Sequence, residues 1–122
     1  MQHATKAYGQ VAQQTASPRE LEVQLLLRAA SRLQAVHDDW ENGRVSLDHA
    51  LLFNRKLWTI FLTSVTNNEN PLPPEIRQNV ANLGIFVINQ TLNVMGNPQR
   101  ERLPSLININ RELAAGLSAS GK

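Results

Sequence analysis

The sequence predicts an all-α fold, a small helical bundle of about four main helices preceded by a short N-terminal helix or arm. Three observations lead there. Helix start and stop signals recur at helical lengths. Apolar residues return three and four positions apart in four successive segments. No segment alternates apolar and polar residues over the length of a strand. The chain has 122 residues, 42% of them apolar and 18% charged. That is the length of one domain, able to bury about two-thirds of its unfolded surface without staples. We therefore read residues 1–122 as a single helical domain, with 1–16 as an arm or short helix and 118–122 as a frayed tail.

In the first segment, Ala4, Tyr8 and Val11 are spaced to share one helical face. Ser17-Pro18-Arg19-Glu20 then reads as a helix start: Ser17 caps, Pro18 presets φ, and Glu20 sits where its carboxylate reaches back toward the cap. This helix is expected to run to about Asn42. Leu21, Leu25, Ala29, Leu33, Val36 and Trp40 form its stripe, widened by Leu26 and Ala30, and Asn42-Gly43 is its stop.

Ser46 is the expected cap of the second helix, and Asp48 favours the positive end of its dipole. Leu47, Ala50, Leu51, Leu57, Trp58, Phe61 and Val65 make its inner face, interrupted by Asn54. Thr66 to Pro74 is polar and proline-rich, a loop. Pro74 opens the third helix, with Ile76, Val80, Leu83, Val87 and Val94 on one face. Ile85, Phe86, Ile88, Leu92 and Met95 make it apolar nearly all round, which predicts a central position in the bundle. Gly84 marks a close helix crossing, Gly96 ends the helix, and Asn97-Pro98 begins a turn or short helical piece. The last helix starts near Leu103-Pro104, with Leu106, Ile107, Leu113, Ala114 and Leu117 inward and Asn110 among them.

The composition excludes much chemistry. Without cysteine there is no disulfide, thiolate metal site, iron–sulfur cluster or thiol nucleophile. His3, His37 and His49 share no ligand spacing; His37 and Glu41, four apart, are two groups where a metal needs more. There is no nucleophile elbow and no glycine-rich phosphate loop. Asp38 and Asp39 are adjacent, so on a helix they diverge by about 100° and do not face each other as a carboxylate pair. No catalytic residue, metal or cofactor is expected, and the chain is not expected to be an enzyme. The longest apolar stretch, Val80 to Met95, carries Asn82, Asn89, Gln90 and Asn93 and is too short and polar to span a membrane. The start, Met1 to Lys6, shows no signal peptide.

The net charge of +2 does not by itself point to nucleic acid. Arg28 with Arg32, Arg55 with Lys56, and Arg100, Arg102 and Arg111 are dispersed and read better as solvated rims than as one basic patch. Asn54 and Asn110 each replace an expected leucine. A buried amide without partners costs about 1–3 kcal/mol, so these two either fix helix register or line a partner groove beside Arg55 and Arg111. Leu57 to Leu62 is apolar on more than one face, so its helix is either sandwiched or carries an interaction surface.

Several blocks together resemble the flagellar biosynthesis regulator FlaF family. They are Ala7-Tyr8, Ser17 to Glu22, Arg28 with Arg32-Leu33, Asn54 to Phe61, Asn70 to Pro73, Arg77 to Asn79 with Asn82-Leu83, and Leu106 to Arg111 before Ala114 to Leu117. They keep their order over most of the chain. The resemblance implies a small cytoplasmic protein needed for flagellin production and export, binding flagellin and working against the partner regulator FlbT. On that footing the expected function is a chaperone or adaptor that couples flagellin synthesis to secretion. The expected partner-binding residues are Asn54, Arg55, Trp58, Phe61, Asn110 and Arg111. The alternative is a regulator acting directly on flagellin mRNA with FlbT; RNA is the less favoured partner, a membrane is not expected, and the apolar surplus leaves room for a homodimer.

Overall fold

A computed structural model describes residues 17–120. Four α-helices follow in order: α1 (Pro18–Asp38), α2 (Trp40–Val65), α3 (Pro74–Gly96) and α4 (Leu103–Ser120), with a 3-10 turn at Arg100–Arg102 before α4. No strand occurs among the described residues. The expected N-terminal arm, with its Ala4–Tyr8–Val11 face, lies outside them.

The start of α1 follows the sequence reading: Ser17 Oγ accepts from the Glu20 N–H at 3.1 Å, with Pro18 in the first turn. The end of α1 corrects it. The chain breaks at Asp39, not at Asn42-Gly43, and α2 already runs through Gly43 and Ser46. Asp39 adopts φ −128° and ψ 60°, and its carboxylate accepts from Asn42 Nδ2. Ser46 is therefore an exposed residue inside the helix rather than a cap.

Gly43 serves a different purpose from the one expected. It has no positive φ, so it is not a left-handed cap. A Cβ there would meet Val36 Cα at 3.0 Å and Val36 O at 3.1 Å, so the absence of a side chain lets the start of α2 fold back against the backbone of α1. Gly84 meets the close crossing expected of it, but less tightly. A Cβ would lie 3.5 Å from the Trp58 ring and 3.7 Å from Leu62, which is ordinary contact. Gly84→Ala is accordingly expected to leave stability unchanged or raise it by up to about 1 kcal/mol through helix propensity. Gly43→Ala is expected to lower it by about 1–2 kcal/mol, because backbone must yield. Paired thermal melts of the two variants check the contrast; equal shifts would contradict the contact geometry.

The helices α1 and α4 pack closely, as do α1 and α2, and α2 and α3; α3 and α4 barely meet. The bundle is thus built around α1 and α2 and is loosest along the α3–α4 side. The expected inner face of α2 is buried throughout. On α1 the buried set is Leu26, Ala29, Ala30, Leu33 and Val36, while Leu25 is half-buried and Leu21 is exposed; Trp40, expected at the end of this stripe, opens α2 instead and is half-buried. The true core stripe is therefore rotated from the expected one, because α1 must face α4 as well as α2.

The central position expected for α3 is not found. Val80, Ala81, Gly84, Val87, Thr91 and Val94 are buried, but Ile76, Ile85, Phe86 and Leu92 are exposed. With one closely packed neighbour, α3 covers one face only, and its remaining apolar side chains become surface. The apolar Leu57–Leu62 stretch has the other explanation offered for it: α2 is sandwiched between α1 and α3, and only Ile60 of its large apolar side chains there stays well exposed. The last helix, α4, continues through Ser120, the last described residue.

Candidate protein-binding surface

Beneath the surface lies a buried polar chain that accounts for both asparagines. Asn54, Thr91, Asn110 and Trp58 are all 0% exposed. Trp58 Nε1 donates to Asn110 Oδ1 at 2.8 Å, and Asn110 Nδ2 donates to Asn54 Oδ1 at 2.7 Å. Asn54 Nδ2 donates to Thr91 Oγ1 at 3.3 Å, and the Thr91 hydroxyl donates to the Val87 carbonyl at 2.6 Å. An indole N–H only donates, so Asn110 must turn its oxygen to Trp58 and its amide nitrogen to Asn54. The same logic then orients Asn54 and sends the threonine proton to backbone. The chain joins α2, α3 and α4, and each link is satisfied only when those helices sit in one register. A leucine at either asparagine would pack in several registers.

Thr91 is the member that sequence reasoning missed. Its signal was its position, four residues after Val87 and three before Val94 on the buried face of α3. The Trp58 ring meets Phe61 edge-on, with centroids 5.8 Å apart at 76°.

Of the six expected partner-binding residues, the structure therefore brings Asn54, Trp58, Phe61 and Asn110 together as interior. Phe61 keeps 5% exposure and the other three none. Asn54, Trp58 and Asn110 are closed off from solvent, while Phe61 lines a cavity at the end of the bundle where α1 begins. Arg55 and Arg111 are exposed. Arg55 lies with Leu52, Lys56, Thr59 and Ile60 along a shallow cleft of about 500 Å³ on the outer side of α2. Ile60 there is 65% exposed. On α3, Ile85, Ile88, Leu92 and Met95 follow at spacings of three, four and three, so they share one flank; Ile85 and Leu92 are exposed and the other two half-buried.

Most other cations are occupied by the fold. The Arg32 guanidinium stacks over Phe53 at 4.4 Å and Arg44 over Trp40 at 5.1 Å. Arg100 donates to the His37 carbonyl, Arg77 to the Asn67 carbonyl and Arg102 to Gln99. Arg19 pairs with Glu22 at 3.4 Å. Burial pushes the Glu22 carboxyl above the usual range, with Arg19 pulling the other way. The Asp38 carboxyl is held below it by hydrogen bonds from His37 and Gln34. Among the described residues, no group of three or more acidic or histidine side chains is placed to hold a metal. No helix there is long and apolar enough to cross a membrane.

The geometry defines the class of small all-α bundles, here with a buried hydrogen-bonded chain inside and exposed apolar and basic side chains outside. The pattern of the flagellar protein FlaF family matches residues 4–117, nearly the whole chain. The chain belongs to that family. No curated protein and no solved structure matches it.

Proposed function

We propose that this protein is a non-catalytic binding module that holds flagellin in the cytoplasm before export, as a chaperone or adaptor coupling flagellin synthesis to secretion. Membership of a flagellar family supplies the context. The carrying observation is Ile60, exposed on the outer side of α2 one turn beyond Lys56, with Leu52 and Arg55 lining the same shallow cleft. Exposed apolar side chains interleaved with basic ones suit an amphipathic helix whose polar face is acidic. The exposed flank of α3 adds apolar area of the same kind. This moves the partner-binding role from Asn54, Trp58, Phe61 and Asn110 to surface residues, and keeps Arg55 in it.

The test is size-exclusion chromatography with light scattering on the protein mixed with monomeric flagellin at micromolar concentration. A mixed peak is expected. Ile60→Asp and Arg55→Glu are each expected to weaken it about tenfold or more, with circular dichroism and melting temperature unchanged. Absence of a complex sinks the proposal, as does a complex indifferent to both variants. Direct binding of the flagellin message is disfavoured by the number of arginines already engaged within the fold. Association with a leader RNA that weakens with salt would reverse that preference.

A further inference from the structure

Helix α3 carries a second stripe on the side away from the bundle. Val80, Gly84, Val87, Thr91 and Val94 are its buried face, with Gly84 against Trp58 and Thr91 bonded to Asn54, both on α2. Asn82, Ile85, Asn89, Leu92 and Gly96 are all exposed, and they follow one another at spacings of three, four, three and four. That is the a and d pattern of a heptad, a seam on the face opposite the buried one. Ile85, Phe86 and Leu92 keep 52%, 45% and 41% exposure. Together they offer on the order of 300 Å² of apolar surface, a size at which a surface patch is often functional. The stripe also lacks charge. No Asp, Glu, Lys or Arg stands between Arg77 and Arg100, although 18% of the chain is charged.

We propose that α3 pairs in parallel with α3 of a second copy of this chain, the two seams meeting in register about a two-fold axis. Charge selects the partner. A surface without charge does not repel a copy of itself, whereas a partner with a charged stripe would bury those charges unpaired. Asparagine selects the direction. In a parallel pair each a position meets its counterpart, so Asn82 and Asn89 each face an amide that both donates and accepts. An antiparallel pair would set each asparagine against an aliphatic side chain and leave its amide unsatisfied. Ile85 and Leu92 meet their counterparts in the layers between. Phe86 and the half-buried Ile88 and Met95 flank the seam, at positions where charged residues set the choice of a different partner. An isologous contact counts every residue twice. With the exposed amides included it reaches about 1,000 Å², the area a specific interface requires. The residue that carries the flagellin reading, Ile60, lies on α2 and outside the seam, so the two readings stand or fall separately.

Light scattering on the full chain alone, at micromolar concentration, is the first test. A species of twice the 13.6 kDa chain mass is expected. Ile85→Glu combined with Leu92→Glu is expected to weaken it about tenfold or more, with helicity by circular dichroism unchanged. Ile60→Asp is expected to leave the dimer intact, which separates this result from any loss of flagellin binding. The chain has no cysteine, so Asn89→Cys supplies a single thiol. Mild oxidation is expected to join two Asn89→Cys chains within minutes, whereas Val45→Cys, well exposed on α2, should stay unlinked. A monomer overturns the proposal. So does a dimer indifferent to the double variant, or one that Asn89→Cys fails to link.

Discussion

Trp58→Ala is expected to cost about 5 kcal/mol of unfolding free energy. Truncating a fully buried tryptophan removes about 3–5 kcal/mol of packing. It also leaves Asn110 Oδ1 without its donor, which adds about 1–3 kcal/mol. The ring also backs onto Gly84 and meets Phe61 edge-on, so neighbours on two helices face the void. The loss approaches the whole stability of a small domain, about 5–15 kcal/mol. Trp58→Phe separates the two contributions. It keeps much of the ring and removes the N–H, so the expected loss is about 1–3 kcal/mol. Urea unfolding followed by far-ultraviolet circular dichroism reads both, with an unchanged slope required for the comparison. Equal losses for the two variants would mean that the hydrogen bond, not the packing, dominates.

Asn110→Leu is expected to cost about 3 kcal/mol, although leucine is the residue its stripe would predict. The substitution orphans the Trp58 N–H and the Asn54 carbonyl together, each worth about 1–3 kcal/mol. Thr91→Val sits at the far end of the chain and removes one acceptor, so about 1–2 kcal/mol is expected. The double variant Asn54→Leu with Asn110→Leu should cost less than the sum of the singles. Once both amides are gone, their mutual bond leaves no orphan behind. Strict additivity in the same urea experiment would show that the chain does not act as a unit.

Much of the architecture was legible in the chain. Ser17-Pro18 opens α1 and Pro74 opens α3, because a hydroxyl cap and a preset φ act within one turn of backbone. Period and spacing also found the buried face of α2, from Leu47 to Val65. Gly43 shows the limit of that reading. Beside an asparagine it carries the signal of a helix stop, yet its use is a close approach to Val36, a residue seven positions earlier that comes near only when the chain reverses at Asp39. Thr91 was hidden for the same reason. A lone threonine in an apolar run has no visible partner until Asn54 is brought beside it.

The chain by itself determined that four helices form, where three of them start, and that Asn54 and Asn110 carry more than packing. Those properties are local, set by caps, prolines and the periodicity of apolar residues. Tertiary structure alone decided which apolar faces became core and which became surface. Periodicity marks a face as apolar but does not count the neighbours available to cover it. With α3 packed closely against α2 alone, Ile85 and Leu92 face outward; with α2 held between two helices, Trp58 and the amides close into its interior and Ile60 and Arg55 remain outside.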